Sequence, residues 1–336
     1  HFEEQGTLLT LGAEGTVNRW NVDDGSPAEN APNLPPFNGP CRSVALHPNK
    51  PQAVAASGTR LFLFRTDQPN VEPITRDLGP GGISSLQFIS DENKIAVGRD
   101  TGQIWIQGCE RFECTEERLD VLKGSIRHLN YKPEKNTLWV GGDSTEIVSL
   151  DTENWGENRR VKYHKSRIIA MDVDPTGRWL ASTEHDHVTY VQDLKASIPE
   201  PTKDTDIIDP SLWRLRGHTI SHLAFDTTGE HLATVQEQRL VTIYHVPTRT
   251  KFEDIRAHSR RIQGMVYHPA DPVLITVDSL GTLRILDSVS GHVLVTGDAG
   301  RGKPSGLAIG DQGLSVITGG LDPNGSVKIF RIPATL

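Results

Sequence analysis

The densest group of side chains that could hold a metal ion is the run Glu184-His185-Asp186-His187. Residues two apart in a strand point to the same side, so His185 and His187 could share an ion if a neighbouring loop supplied more ligands. A polar hairpin tip at the protein surface is the commoner meaning of such a run. We therefore predict no metal site at this position.

The three cysteines also offer little chemistry. Cys109 and Cys114 lie close in sequence, but the third thiol, Cys41, is distant, so the ligand set of a zinc site is not assembled. Three cysteines in 336 residues form no disulfide framework, and they fit a reducing compartment. The cysteine content therefore predicts a cytoplasmic location.

The sequence lacks the short motifs of the common catalytic classes. It contains no Gly-rich phosphate loop of the P-loop form, no Gly-x-Ser-x-Gly elbow and no His-Glu-x-x-His helix. We predict a protein that is not an enzyme and needs no cofactor. The competing hypothesis is a metal-dependent hydrolase or oxidoreductase that uses His185 and His187.

Charge and hydropathy argue against two further classes. The formal net charge is -8, from 35 Lys and Arg against 43 Asp and Glu, which opposes wrapping of duplex nucleic acid. No run of eighteen apolar residues could span a membrane as a helix. The sequence starts at His1 without a signal peptide, and we expect that it is part of a longer chain.

The elements that must position any site repeat along the chain. Apolar residues open short strands in steps of 42, 43, 42, 52, 42 and 42, at Val44, Leu86, Leu129, Met171, Leu223, Met265 and Leu307. We call this series the first ladder. A second series with the same period, the second ladder, marks the third strand of each repeat, at Trp20, Phe64, Gln107, Leu150, Val191, Tyr244, Leu286 and Phe330. Two ladders in register predict about eight copies of one four-stranded element, because such propeller blades take roughly 40–45 residues.

These repeats resemble the WD-repeat β-propeller family across essentially the whole chain. Two of its Gly-His positions are occupied by Gly217-His218 and Ala257-His258, and His164 takes a similar place. The terminal Trp-Asp of the family survives only loosely, as Trp20-Asn21, Tyr244-His245 and Leu286-Asp287, and its hairpin aspartate is replaced by Glu14 and Leu280. The resemblance implies that the histidine bonds within its own blade and has a structural role.

We predict an all-β fold, a single β-propeller with eight four-stranded WD-type blades. The approximate repeats are 1–40, 41–82, 83–125, 126–167, 168–219, 220–261, 262–303 and 304–336. The last repeat lacks a fourth strand, so a segment before His1 is expected to close the ring. A seven-bladed ring with spare strands is the alternative. Two long connections, 23–40 and 195–213, are expected to be solvated excursions.

One candidate site emerges from the repeats. The loops that lead into the first strand of each blade carry positive charge, and equivalent positions converge around the axis of a propeller. The residues are Arg42, Arg127, Lys165, Arg167, Arg260, Arg261, Arg301 and Lys303. Converging guanidinium groups favour an acidic or phosphorylated peptide or a nucleic-acid strand. The alternative is that they pair with carboxylates of the same face, such as Glu146, Glu184, Asp186 or Glu237.

The leading functional prediction is a protein-interaction scaffold or sensor propeller. Its top face, centred on the basic residues, would bind a partner protein or an adjoining domain of the same polypeptide. Propellers suit this role because a stiff scaffold carries variable loops. Nucleic-acid binding by the basic residues is a second alternative to the enzymatic hypothesis, and no membrane partner is expected.

Overall fold

The structure is a computed structural model that describes residues 2–3, 7–11, 17–21, 41–47, 50, 52–65, 71–89, 94–108, 117–196, 211–215, 219–268, 271–298, 304–310, 315–320 and 327–331. The chain forms two compact units. The first unit comprises His1–His164 and Ile329–Arg331, and the second comprises Lys165–Lys328 and Ile332–Leu336.

Within the described residues, thirty strands form eight antiparallel sheets, and the strands of each sheet follow chain order. The first three sheets contain β1 (Phe2–Glu3), β2 (Thr7–Leu11), β3 (Val17–Asn21); β4 (Cys41–Leu46), β5 (Gln52–Ser57), β6 (Arg60–Arg65), β7 (Ile74–Asp77); and β8 (Ile83–Ile89), β9 (Lys94–Arg99), β10 (Gln103–Gly108), β11 (Glu117–Asp120). The fourth contains β12 (Ile126–Lys132), the 3₁₀ turn Pro133–Lys135, β13 (Thr137–Gly142), β14 (Ile147–Asp151) and β15 (Glu157–Val161).

The remaining four sheets follow the same plan. They contain β16 (Ile168–Val173), β17 (Trp179–Glu184), β18 (Thr189–Asp193), β19 (Leu212–Leu215); β20 (Ile220–Phe225), β21 (His231–Gln236), β22 (Leu240–His245), β23 (Thr250–Ile255); β24 (Ile262–Tyr267), β25 (Val273–Asp278), β26 (Thr282–Asp287), β27 (Val293–Asp298); and β28 (Pro304–Gly310), β29 (Ser315–Gly320), β30 (Val327–Arg331). Six sheets therefore have four strands among the described residues, and two have three.

Both ladders of the sequence fall on equivalent strands. The first ladder lies in the first strand of its sheet, from Val44 in β4 to Leu307 in β28. The second lies in the third strand, from Trp20 in β3 to Phe330 in β30. The spacing was therefore a correct guide to the strands.

Burial divides the four-stranded sheets into an inner and an outer part. Second and third strands are almost wholly buried, as in β17 and β14, while the fourth strands β7 and β11 are mostly exposed. In the first unit, β4 contacts β8 and β8 contacts β12; in the second unit, β16 contacts β20 and β20 contacts β24. First strands of neighbouring sheets therefore lie together, and the fourth strands lie at the outer edge.

Seven of the eight first strands contain a β-bulge at their second residue. The pairing register shifts there in seven sheets, at Arg42, Ser84, Arg127, Ile169, Ser221, Gln263 and Ser305. A bulge re-aims the side chains beside it. In the third sheet, Ser84 and Ser85 donate their hydroxyl groups to the Ile126 carbonyl of the next sheet, at 2.5 and 2.9 Å. The bulges thus help to join neighbouring first strands.

Candidate functional site

One edge of each sheet brings together the loop that enters the first strand and the hairpin between the second and third strands. We call it the hairpin edge. A backbone hydrogen bond recurs there, from the residue after the second strand to the carbonyl group before the first strand. The pairs are Asp100 to Gly82, Asp143 to Ser125, His185 to Arg167, Glu237 to Thr219 and Ser279 to Arg261, at 2.7–3.0 Å. The loop that carries the predicted basic residues is therefore anchored to its own hairpin.

The last residue of the second strand anchors this loop further, with a different chemistry in each sheet. In the third sheet it is Arg99, whose side chain is almost completely buried. Its guanidinium donates to the carbonyl groups of Leu78, Gly79, Pro80 and Gly81, and its Cζ lies 4.4 Å from the ring centroid of Trp105. A buried charge is stabilised only when such donors are satisfied, so Arg99 fixes the loop in place.

In the fifth sheet the equivalent residue is Glu184. Its buried carboxylate accepts hydrogen bonds from the backbone amides of Lys165 and Ser166, at 2.7 and 3.3 Å. Because the carboxylate holds the backbone, the side chains of Lys165 and Arg167 remain exposed. Glu184 therefore positions two of the predicted basic residues and does not pair with the charge of Lys165.

In the seventh sheet the anchor is a buried histidine and aspartate. His258 Nδ1 lies 3.2 Å from Asp278 Oδ2, and His258 Nε2 lies 2.8 Å from Thr276 Oγ1. Burial lowers the pKa of His258 more strongly than the Asp278 carboxylate raises it. The imidazole is therefore neutral near pH 7, and it links the loop to the second strand. His164 is likewise buried, beside the Tyr163 ring, while His218 lies outside the described residues.

The eight predicted basic residues do not share one environment. Arg127 is the bulge residue of β12, and its guanidinium forms a two-point hydrogen bond with Asp143, at 2.8 and 2.6 Å. That hydrogen bonding raises the pKa of Arg127. Arg42 is the bulge residue of β4, but its side chain lies outside the described residues, as do Arg301 and Lys303.

Lys165, Arg260 and Arg261 are the members of the set whose side chains have no partner among the described residues. All three side chains are exposed, and none has an ion pair or a side-chain hydrogen bond with another described residue. Burial of the imidazole is the main cause of the lowered pKa of His222, and the charge of Arg261 lowers that pKa further. These residues belong to the second unit, so its hairpin edge carries basic side chains without an ion pair among the described residues.

A fourth residue of this kind, Arg239, was missed at the sequence level. It lies in the hairpin after β21, is exposed, and has no ion pair or side-chain hydrogen bond within the described residues. The backbone amide of Ile262 donates to the carbonyl group of Gln238 at 2.7 Å, which places Arg239 beside Arg260 and Arg261. A search of hairpin tips as well as loops for basic residues would have found it.

An apolar side chain lies next to this arginine group. Leu280 stands in the hairpin after β25 and is 60% exposed. Ser279, its neighbour, donates its amide to the Arg261 carbonyl at 2.7 Å. The hairpin edge formed by β20–β27 therefore presents three arginines and one leucine to solvent, and we call Arg239, Arg260, Arg261 and Leu280 the arginine–leucine patch.

Two of the carboxylates suggested as partners, Glu146 and Asp186, lie beside residues outside the predicted basic set. Glu146 accepts from Arg160 at 2.6 Å and lies 3.6 Å from Lys162, so it serves two residues outside the predicted set. Asp186 lies 3.5 Å from His185. The described residues thus place Asp143, which the sequence did not single out, as the partner of Arg127.

The two histidines of the run 184–187 lie in a turn and not in a strand. Residues 185–187 form a turn, with His187 at φ 67°, so strand alternation does not apply to His185 and His187. The Glu184 carboxylate is used by the backbone of the neighbouring loop. Within the described part of the chain, no three His, Cys, Asp or Glu side chains are grouped as metal ligands. Cys109 and Cys114 lie outside that part.

Comparison with known proteins identifies the type of these repeats. The chain is 26% identical over 128 residues to Protein HIR1 of Candida albicans, 27% over 168 residues to Protein HIR1 of Gibberella zeae, and 20% over 219 residues to the ciliary WD repeat-containing protein ctxp80 of Euplotoides octocarinatus. These matches cover 36%, 45% and 58% of the chain. The chain is a WD-repeat protein. It spans only 14–30% of the length of these relatives, and no model of a protein family matches it.

Solved structures support the same fold for this WD-repeat chain. The computationally designed Ika8 protein matches with a TM-score of 0.75 and 16% identity, over 98% of this chain and 95% of that one. A chain of the Mitotic Checkpoint Complex matches with a TM-score of 0.66 and 16% identity, over 84% and 86%. The all-β fold of four-stranded WD-type blades is thereby confirmed. None of these WD-repeat relatives or structural neighbours indicates a catalytic family. Among the described residues, no helix is long and apolar enough to cross a membrane.

Proposed function

We propose that this WD-repeat chain is a non-catalytic interaction scaffold that binds a protein partner, or an adjoining domain of its own polypeptide, through the hairpin edges of its sheets. The observation that carries the proposal is the set of exposed, unpaired basic side chains on loops whose backbone is fixed. Lys165 is held through Glu184, and Arg261 is held through Ser279. A rigid backbone with free charged side chains suits recognition, because little conformational entropy is lost on binding.

The fold of eight sheets supports an eight-bladed propeller with a common hairpin face. The two three-stranded sheets, β1–β3 and β28–β30, stand at the two ends of the sequence, and one further strand would complete each blade. In such a ring the bulge residues, which recur every 42 or 43 residues except for one step of 52, would line one axis. The predicted basic residues would then share one face.

Membership among WD-repeat proteins supports a protein partner over a small substrate. One structural neighbour is part of a complex, and one relative is named as a ciliary WD repeat-containing protein. No catalytic family is indicated by the relatives or structural neighbours, which agrees with a non-catalytic role. The net charge of -8 opposes a general nucleic-acid-binding role.

Photo-crosslinking tests this proposal directly. A photo-reactive amino acid at Ser259, which is exposed beside Arg260, should capture a discrete protein when the full chain is expressed in its native cell. The same residue at Lys195, which follows β18 at the opposite edge, is the matched control, since Leu194 there donates its amide to the Arg178 carbonyl of the opposite turn. Capture at Lys195 alone, or equal capture at both positions, would show that the hairpin edge is not the binding face.

A further inference from the structure

We infer that the arginine–leucine patch binds an extended acidic peptide segment that carries an apolar side chain among its Asp and Glu residues. The inference rests on the proposed function, since it names the partner chemistry for one part of the same edge. The patch comprises Arg239, Arg260, Arg261 and Leu280, and it lies wholly within the second unit.

Three guanidinium groups in the patch have no anion of their own. Arg239, Arg260 and Arg261 are exposed and form no ion pair or side-chain hydrogen bond with the described residues. Arg127 and Arg178, by contrast, are paired with Asp143 and Asp193. Guanidinium groups bind carboxylates through two parallel hydrogen bonds, so this group favours an acidic ligand.

The backbone of the patch argues against a single phosphate as the ligand. Phosphate sites usually use several free backbone amides that point at one anion. Here the amides of Ser279 and Ile262 donate to the carbonyl groups of Arg261 and Gln238, at 2.7 Å each. The amides of Leu280 and Thr282 donate to Asp278 Oδ1, at 2.9 and 3.0 Å. The amides of the hairpin that carries Leu280 are therefore used within the protein, and the arginine side chains extend from two neighbouring sheets, which fits several carboxylates along an extended segment.

Leu280 is the reason that the proposed peptide needs an apolar side chain. It is 60% exposed, and it is the most exposed large apolar side chain among the described residues. Its hairpin is well anchored, because the buried Asp278 carboxylate accepts two amides of the turn and the Asp278 side chain also lies beside His258. A rigid, exposed leucine beside three arginines would bury its side chain against an apolar residue of the ligand.

The chemistry of the patch also separates a peptide from a nucleic-acid strand. Proteins that bind single strands stack the bases on aromatic side chains. The hairpins after β21 and β25 and the loop before β24 contain no Trp, Tyr or Phe at residues 237–239, 259–261 and 279–281. A leucine with three arginines therefore matches an acidic peptide better than bases.

The experiment uses the full chain and an array of short synthetic peptides, with net charge and the presence of one Leu, Phe or Met varied independently. Arms with phosphoserine replacing the acidic residues, and oligo-dT in solution, test the other anions. Acidic peptides with an apolar residue should bind best. We expect Arg261→Glu and Leu280→Ser each to weaken that binding about tenfold, whereas Lys195→Glu should leave it unchanged.

Each outcome decides the inference. It fails if neutral or basic peptides bind best, if oligo-dT or the phosphoserine arm binds more tightly than the acidic arm, or if Arg261→Glu and Lys195→Glu have equal effects. Should no peptide bind while crosslinking at Ser259 still captures a partner, the chemistry assigned to the patch is wrong and the proposed function stands. Loss of both results contradicts both proposals.

Discussion

The backbone amide of Ile262 donates to the carbonyl group of Gln238 at 2.7 Å, and this bond joins two neighbouring sheets at their hairpin edges. An equivalent bond, from Ile83 to Gly58 at 2.8 Å, joins the second and third sheets. In the second unit the bond brings Arg261 close to Arg239. The arginine–leucine patch is thus a consequence of how consecutive sheets are joined.

The hairpin that supplies the Gln238 carbonyl has an unfavourable backbone conformation. Glu237 and Gln238 have φ values of 47° and 66°, where a side chain crowds the following carbonyl oxygen. Gln238→Gly should therefore increase the free energy of unfolding by about 1 kcal/mol, and Gln238→Ala should not. Urea unfolding of both variants checks this. A larger stability for the alanine variant would show that the conformation is not strained.

Arg99 should contribute to stability far more than the other arginine on the same ring. Arg99 and Arg118 lie on Trp105, at 4.4 and 3.9 Å from the ring centroid, but only Arg99 is buried and bonded to the carbonyl groups of the neighbouring loop. We expect Arg99→Lys to lower the free energy of unfolding by about 2 kcal/mol, and Arg118→Lys by under about 1 kcal/mol. Equal effects in urea unfolding would contradict a loop-anchoring role for Arg99.

Stability should fall between about pH 7 and pH 5, because two histidines are buried in their neutral form. Burial lowers the pKa of His222 and of His258 from the ordinary value of 6.5. Below that value the unfolded chain binds more protons than the folded chain, so the stability is complete above pH 6.5 and is lost as pH falls through the lowered values.

Thermal unfolding midpoints at several pH values test this, with His222→Gln as the comparison. The variant should show a smaller decrease over the same range. Carboxylates with lowered pKa values, such as Glu146 and Glu157 beside Arg160, lose their contribution only at more acidic pH, so they do not obscure the histidine range. A midpoint that is constant or rises as pH falls from about 7 to 5 would contradict the assignment.

The repeat and its strands could be predicted from the sequence because apolar spacing directly reports burial. Leu129 and Leu150 were each assigned to the correct strand of the repeat, since inner and middle strands must carry apolar residues at a fixed period. The structural role of His258 was also expected, from the resemblance to WD-repeat proteins. Blade number and the shared basic face remain predictions.

The sequence could not give the pairing of the candidate residues. Arg127 looked equivalent to Arg261, but Arg127 is the bulge residue of β12 and lies beside Asp143, whereas Arg261 precedes β24, whose bulge residue is Gln263. Arg239 was missed because its neighbourhood depends on the bond between Ile262 and Gln238, which links residues in different sheets. Such contacts follow from register and bulges, and local spacing does not encode them.

Charge reversal tests the central claim most directly. The affinity of the best acidic peptide is measured by titration calorimetry for the parent chain and for a chain with Arg260→Glu and Arg261→Glu, together with a copy of the peptide in which Lys replaces each acidic residue. The double variant should bind the acidic peptide at least about tenfold more weakly and should gain affinity for the lysine peptide. Lys195→Glu, at the opposite edge, should change neither affinity. Unchanged binding of the acidic peptide by the double variant would contradict a binding role for the arginine–leucine patch.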